Sequence, residues 1–175
     1  MDIVLKSKDI TQIVEKCAKW ISDFPASDAP IAIIGIRSRG VFLAGRIAQV
    51  LEKKTAHEIP CGTLDITLYR DDLNDPHSTQ QPQVRSTEID FDITGKTIIL
   101  VDDVLQTGRT VRAAMDAIME FGRPQAIRLA VLIDRKGREL PIQPDFVGHH
   151  VEVSPKHKIS VSFKESDDID QVVIE

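Results

Sequence analysis

The sequence has few cysteines, no long apolar run and no surplus of positive charge. Its two cysteines, Cys17 and Cys61, lack the spacing of metal ligands, which favours a reducing setting. No apolar run approaches the roughly 18 residues that cross a bilayer. Residues 1–8 also lack a charged-then-apolar signal segment. We therefore expect a cytoplasmic protein with no membrane partner.

Net charge, length and composition indicate which partners and how many domains to expect. The net charge of −5 argues against nucleic acid bound over the whole surface, although it leaves room for a local basic patch. Residues 1–175 contain no internal repeat or low-complexity stretch, and 42% of them are hydrophobic and 28% charged. This composition predicts one globular domain with a sizeable core.

The most informative segment is residues 98–110, IILVDDVLQTGRT. Its four leading apolar residues predict a strand buried on both faces, as in a parallel sheet. Two adjacent acids, Asp102 and Asp103, follow where that strand is expected to end. The remaining residues lead into an amphipathic helix, which Gly122 and Pro124 should end.

The loop between this strand and helix has the composition of a phosphate site. Free backbone N–H groups at a helix start, together with the helix dipole, favour an anion. Thr107 and Thr110 add hydroxyl donors, and Arg109 adds positive charge. Asp102 and Asp103 suit a pair of hydroxyls, so the ligand expected is a ribose 5-phosphate. The alternative is a plain strand–loop–helix connection with surface acids.

A second strand–loop–helix unit precedes the first. Residues 31–36 predict a buried strand, residues 37–40 (RSRG) a loop, and residues 41–51 a helix. Two such units imply parallel strands with a site at their carboxyl ends. The loop's two guanidiniums, with Gly40 allowing close backbone approach, suit a pyrophosphate. An exposed basic turn is the alternative.

The other predicted elements are simpler. They are a helix at 9–21, strands at 63–69, 126–133, 142–147, 158–163 and 172–174, and a solvated acidic connection at 164–170. The polar stretch 70–87 has almost nothing to bury and is either disordered or a mobile lid. A lid would exclude water from a reaction at the bound sugar and would bring Arg85 to the pyrophosphate.

Residues 98–110 resemble the phosphoribosyl pyrophosphate (PRPP) signature of type I phosphoribosyltransferases, and the Walker phosphate-loop pattern is absent. Further segments resemble the PyrR family, the pyrimidine attenuation regulators. They are residues 62–73 (GTLDITLYRDDL), 111–117 (VRAAMDA), 122–124 (GRP), 129–135 (LAVLIDR) and 138–141 (RELP). The resemblance implies an α/β fold with a central, mostly parallel sheet flanked by helices, a small hood and a flexible loop. It also implies a homo-oligomer.

The resemblance also implies roles for individual residues. The substrate-binding residues would be Ser38, Arg39, Asp102, Asp103, Val104, Leu105, Gln106, Thr107, Gly108, Arg109, Thr110, Arg135 and Ile159. The catalytic residues would be Asp102, Asp103, Arg39 and Arg85. Magnesium would contact Asp102, Asp103 and Asp134, mostly through water. The pyrophosphate loop would carry a non-proline cis peptide.

The activity implied is that of a uracil phosphoribosyltransferase, which makes UMP and pyrophosphate from uracil and PRPP with Mg²⁺. Purine-salvage relatives place an acid where this chain has Gln106, whereas the PyrR family often has tyrosine there. An orotate or hypoxanthine phosphoribosyltransferase is an alternative, which the preference for one base over the others would distinguish from a uracil enzyme.

The resemblance also implies a second function beside the enzyme, a uridine-nucleotide-dependent mRNA-binding attenuator of pyrimidine biosynthesis genes. The alternative is a protein that is mainly this RNA-binding regulator and uses the PRPP site as a nucleotide sensor. Its basic surface would draw on Lys16 and Lys19 in the first helix and on residues 135–138, with Arg123, Arg128, Lys156 and Lys158 extending the patch. This patch is sparse, so weak RNA binding is expected.

Overall fold

Two β-sheets organise the chain, of which the computed structural model describes residues 2–25, 29–72 and 83–175. The strands are β1 (Asp2–Lys6), β2 (Ile31–Ile36), β3 (Cys61–Leu64), β4 (Thr97–Leu105), β5 (Ala126–Arg135), β6 (Phe146–Val151), β7 (Ile159–Ser162) and β8 (Gln171–Ile174). The helices are α1 (Ser7–Ser22), α2 (Arg39–Thr55), α3 (Arg109–Met119) and the short α4 (Lys164–Asp167). Within the described ranges, no helix is both long and apolar enough to cross a membrane.

The central sheet has the order β3-β2-β4-β5-β6, and every neighbouring pair in it is parallel. The chain passes from β2 to β3 on one side and then returns to β4 on the other side of β2. In open parallel sheets, ligands bind where the strand order reverses in this way, outside the carboxyl ends of the strands. The topology therefore places the site between the ends of β2 and β4.

Apolar residues on both faces explain why these strands lie in the centre. Residues 97–102 of β4 are all buried, as the run of apolar residues predicted. Helices α1 and α2 pack on one face of the sheet, and α3 packs on the other. Helix α1 buries one face, which carries Ile10, Ile13, Val14, Cys17 and Ile21. In α3, by contrast, Met119 is exposed, and alanines complete the buried face.

The second sheet, together with α4, forms a unit that we call the hood. Its strand order is β1-β8-β7, and both pairs are antiparallel. Phe163, fully buried at the end of β7, anchors the hood in the core beside α2. The Arg46 guanidinium on α2 pairs with Glu165 at 2.5 Å and with Asp170 at 2.7 Å. Residues 164–169 are mostly exposed, as predicted, but the segment is more than a connection, since Lys164–Asp167 form α4 and Asp170 is buried.

Several element boundaries differ from those predicted. Strand β4 continues through Leu105, because its pairing with β5 extends to Asp134. The acids at 102 and 103 therefore lie within the strand and not beyond its end. Helix α2 begins at Arg39, two residues earlier than predicted. Strand β1, which pairs with β8, was not predicted at all.

Two predicted strands also need correction. The strand expected at 63–69 stops at Leu64, because the Asp65 carboxylate accepts the Thr67 N–H and hydroxyl and turns the chain into a short 3-10 turn. The strand expected at 142–147 instead spans Phe146–Val151. Ile142 is absent from it because its side chain packs near Gly108 in the loop before α3.

Candidate active site at the carboxyl edge of the central sheet

The loop after β2 and the acids of β4 meet at the edge that the topology singles out. The peptide bond between Arg37 and Ser38 is cis, as the resemblance implied. Helix α2 begins directly after it, so its first N–H groups and dipole favour an anion at this point.

Gly40 allows α2 to touch β4. A Cβ built on Gly40 would lie 2.6 Å from the Val101 carbonyl oxygen and 3.2 Å from the Asp102 Cα. A side chain at this position would therefore overlap backbone. Gly40 thus allows a close approach between α2 and β4, whereas the approach to pyrophosphate expected from the sequence stays a prediction.

Asp102 and Asp103, the acid pair, lie side by side with little charge compensation. Asp102 is buried, and one of its carboxylate oxygens accepts the Asp103 N–H at 2.9 Å. The Asp103 carboxylate accepts the Val104 N–H at 2.9 Å. Neither acid forms an ion pair with any described residue. Burial, and next the neighbouring charge of Asp103, raise the pKa of Asp102 well above its ordinary value. The pair is therefore suited to meet positive charge or paired hydroxyls.

Residues 106–110, which we call the phosphate loop, turn the chain from β4 into α3. Gly108 has φ of +91° and occupies the position before the first helical residue. The Thr107 hydroxyl accepts the Arg109 N–H at 3.2 Å. The Arg109 side chain turns away to Glu139 and Asp71, at 2.6 and 2.5 Å. The free N–H groups of the helix start, rather than a free Arg109, are what this loop offers an anion.

A second segment supports the phosphate loop from behind, and sequence reasoning did not assign it this role. Residues 137–142, the brace, carry the N–H groups of Glu139 and Leu140, both of which donate to the Thr107 carbonyl. The Arg138 guanidinium donates to the Gln106 carbonyl at 2.7 Å and to Asp134 at 2.8 Å. The R-E-L-P signature within this segment was its only sequence signal.

Asp134 lies apart from the acid pair. In the sheet register it stands opposite Leu105, three positions beyond Asp102. Its carboxylate contacts Arg138 and faces His150 Nδ1 at 3.5 Å. A cavity of about 370 Å³ opens beside these residues, at the end of β5 and β6.

Arg135 holds the turn that precedes β7 of the hood. It is buried, and its guanidinium donates to the backbone carbonyls of His157 and Ser154, at 3.0 and 3.3 Å. These residues lead into β7, where half-buried Ile159 pairs with Ile174 of β8. Arg135 thus fixes the turn that presents Ile159.

The polar stretch predicted to be a lid lies partly outside the described residues, which omit 73–82. Its later part runs along β3. The Arg85 N–H donates to Asp65, and the Arg37 guanidinium donates to the Ser86 carbonyl at 2.7 Å. Arg85 is exposed and directly precedes the residue that Arg37 contacts.

The structure brings most of the expected residues to one edge. Ser38 and Arg39 follow β2, and its direct neighbour β4 carries Asp102 and Asp103 near its end and leads into the phosphate loop. Val104 is half-buried, and the Leu105 side chain belongs to the core, so its backbone alone is available. Arg39 is directed to the hood, where it pairs with Asp167 at 3.1 Å.

Comparisons with known proteins agree with this architecture. The Phosphoribosyl transferase domain family matches residues 1–164. The Bifunctional protein PyrR of Latilactobacillus sakei is 52% identical over 164 residues, covering 94% of this chain and 87% of the relative. That of Chloroflexus aurantiacus is 50% identical over 171 residues, covering 98% and 93%.

Solved structures of low sequence identity share the fold. A hypoxanthine phosphoribosyltransferase of Trypanosoma cruzi matches with a TM-score of 0.73 and 17% identity, over 98% of this chain and 93% of that one. A hypoxanthine-guanine phosphoribosyltransferase of Bacillus anthracis matches with a TM-score of 0.71 and 18% identity, over 99% and 98%. This protein has the type I phosphoribosyltransferase fold, and by its matches across nearly the whole chain it belongs to the PyrR family.

Proposed function

We propose that this protein is a uracil phosphoribosyltransferase, which joins uracil to the ribose of PRPP and releases pyrophosphate. The observation that carries the proposal is the acid pair beside the phosphate loop, at the reversal point of a sheet in a chain of the PyrR family. A 5-phosphate at the helix start and a diol at the acids would fix the ribose ring, with its anomeric carbon at the end of the ring away from the 5-phosphate.

The acid pair supplies the main electrostatic contribution. Asp102 and Asp103 would accept the 2- and 3-hydroxyls of the ribose. As pyrophosphate leaves, the ring develops positive charge, and two fixed carboxylates without a compensating cation stabilise it. The rest of the rate acceleration comes from holding uracil N1 in line with the bond that breaks. No covalent nucleophile is required.

Magnesium fits this site only as a partner of the substrate. The described residues contain no cluster of three His, Cys, Asp or Glu side chains able to hold a metal ion. Mg²⁺ prefers oxygen ligands and keeps several waters. Bound by pyrophosphate and ribose oxygens, it would neutralise the leaving group. Asp102 and Asp103 would contact it mostly through water, and Asp134, engaged by Arg138, would have a more distant part.

The base would lie under the hood. Backbone groups near Ile159 present donors and acceptors of the kind that read a pyrimidine edge. Arg135 holds the preceding turn through two carbonyl contacts. Gln106 cannot supply the acid that purine-salvage relatives place at this loop position, which supports a pyrimidine.

Turnover with separate bases tests the proposal. We expect magnesium-dependent release of pyrophosphate from PRPP with uracil, and at most a hundredth of that rate with hypoxanthine, guanine or orotate. A site that pairs its polar groups with one base rejects analogues that leave those groups unpaired. Reactions without base or with EDTA are the controls. Faster turnover with a purine or with orotate would contradict the assignment.

We propose RNA binding as a second function of the protein. The relatives' name, Bifunctional protein PyrR, supports two activities. Four of the basic residues proposed for RNA binding, Lys19, Arg128, Lys136 and Arg138, form ion pairs with acids. Lys136 contacts Glu152 at 2.9 Å, and Lys19 contacts Asp23 at 3.0 Å. Because phosphate neutralisation dominates RNA affinity, we expect binding to be weak and strongly salt-dependent.

A gel-shift titration with a pyrimidine-operon leader RNA tests this second function. We expect a complex at about 50 mM salt that is strengthened by UMP and lost by about 200 mM salt. A scrambled RNA of equal length is the control. Equal binding of both RNAs would contradict specific regulation, whereas tight leader binding without any uracil turnover would favour a regulator that uses the site as a sensor.

A further inference from the structure

Arg39 stands between two anionic partners, one in the hood and one in the proposed substrate. It is the first residue of α2 and follows the loop assigned to pyrophosphate. In the structure its guanidinium Nη2 lies 3.1 and 3.4 Å from the two carboxylate oxygens of Asp167, the last residue of α4. One guanidinium nitrogen thus makes both contacts, while a bidentate pair would use two.

The Arg39 guanidinium keeps donor capacity that Asp167 does not use. Its Nε is buried and has no hydrogen-bond partner among the described residues. A buried donor without an acceptor carries a free-energy cost, which a ligand with several oxygens would remove. Pyrophosphate carries more negative charge and more acceptor oxygens than one carboxylate, so it is the stronger partner for this group.

The Asp167 carboxylate is itself held in place within the hood. One of its oxygens accepts the Phe163 N–H at 3.1 Å and the Ser166 hydroxyl at 2.7 Å. Phe163 is fully buried, so the carboxylate rests on an anchored residue. The hydrogen bond from Ser166, followed by that from the Phe163 N–H, lowers the pKa of Asp167, so the acid is ionised at neutral pH.

The hood has a second tie to α2 that does not involve Arg39. Arg46 holds Glu165 and Asp170 one to two turns further along the helix, and its guanidinium also lies 5.0 Å from the centre of the Phe163 ring. Loss of the Arg39–Asp167 contact would therefore free α4 at one end while the Arg46 contacts keep the hood attached.

We propose that Asp167 competes with pyrophosphate for Arg39, so that pyrophosphate binding releases one tie between the hood and α2. This inference rests on the proposed function, because it takes the loop before Arg39 as the pyrophosphate site. This competition couples the binding and departure of pyrophosphate to the hood, which is the unit proposed to cover the base. While Arg39 is held by pyrophosphate, α4 is loosened; when pyrophosphate departs, Asp167 takes Arg39 back.

Binding of magnesium pyrophosphate to the free protein tests the competition without any turnover. Asp167→Asn removes the charge that competes for Arg39 and keeps an oxygen that can accept the Phe163 N–H. We expect its dissociation constant by calorimetry to be about two- to fivefold lower than that of the wild type, the range that corresponds to one partly exposed ion pair. Glu165→Gln, which weakens a hood contact to Arg46 alone, is the matched control and should leave the constant unchanged.

Amide hydrogen exchange gives the second readout. In the wild type, pyrophosphate should increase exchange at residues 164–168, whereas in Asp167→Asn exchange there should already be raised and respond little. An unchanged or weaker affinity of Asp167→Asn would overturn the competition. If the wild type turns over uracil but the wild type, Asp167→Asn and Glu165→Gln bind magnesium pyrophosphate with the same affinity, the competition alone would be overturned. A wild type that does not bind magnesium pyrophosphate would overturn the assignment of this loop as well.

Discussion

Replacing Asp102 with asparagine is expected to lower kcat/KM for PRPP by about 10²- to 10³-fold, the usual effect of removing one preorganised group that stabilises transition-state charge. The substitution keeps the shape of the side chain and an oxygen that can accept the Asp103 N–H. It removes one of the two carboxyl groups that we propose bind the ribose hydroxyls. Steady-state kinetics with saturating uracil measure the effect.

Asp116→Asn is the matched control for that experiment. Asp116 lies on the exposed side of α3 and pairs with Arg112 at 2.6 Å, so its loss should leave kcat/KM within about twofold, because exposed ion pairs contribute little. Retention of more than a tenth of the wild-type kcat/KM by Asp102→Asn would mean that Asp103 alone carries the electrostatic role.

The Asp102→Asn variant should also change how the free energy of unfolding depends on pH. Burial, then the charge of Asp103, raise the pKa of Asp102, so the folded protein holds this proton more tightly than the unfolded chain does. The free energy of unfolding should therefore fall as pH rises from about 3.9, the ordinary pKa of an aspartate, up to the raised value. Asp102→Asn has no such proton, and its stability should fall less over this range. Urea unfolding at several pH values measures both curves.

Gly40→Ala should damage both the fold and the site. The added methyl would lie 2.6 Å from the Val101 carbonyl oxygen, and relief of this overlap requires α2 and β4 to separate. We expect a loss of about 1–3 kcal/mol in the free energy of unfolding, as for other overpacked positions. Separation by about 1 Å would also cost roughly 10²-fold in kcat/KM, because Arg39 and Asp102 would move apart.

Gly45→Ala is the control within the same helix. A Cβ on Gly45 meets no described atom within 4 Å, so alanine should raise the free energy of unfolding by up to about 1 kcal/mol and leave kinetics unchanged. Urea denaturation and PRPP turnover of both variants distinguish the two outcomes. Equal stability of Gly40→Ala and the wild type would show that α2 can shift without cost.

The central sheet could be predicted from the sequence because its strands are apolar on both faces and are followed by polar loops. The order of residues around Asp102 therefore indicated both the strand and the acid pair. The brace could not be predicted in this role, since its contacts to Thr107 use backbone N–H groups that any residue supplies. The contact between Arg39 and Asp167 joins residues 128 positions apart, and no local pattern encodes it.

The end of β4 is a second feature that local sequence patterns did not predict correctly. Apolarity ends at Val101, but the hydrogen-bond ladder with β5 continues through Asp102 and beyond. Pairing with a neighbouring strand, rather than side-chain character, decides where this strand ends. The acids are thus fixed by a sheet backbone, which holds them more rigidly than a loop would.

The pairing of β1 with β8 has a consequence for synthesis on the ribosome. Asp2 lies opposite Ile174, so β1 has no strand partner until β8 has emerged. The central sheet, by contrast, is complete once β6 is available at Val151. Domains fold as units during synthesis, and N-terminal parts are made first. The phosphate loop and the acid pair should therefore form before the hood, because β7 and β8 follow β6 along the chain.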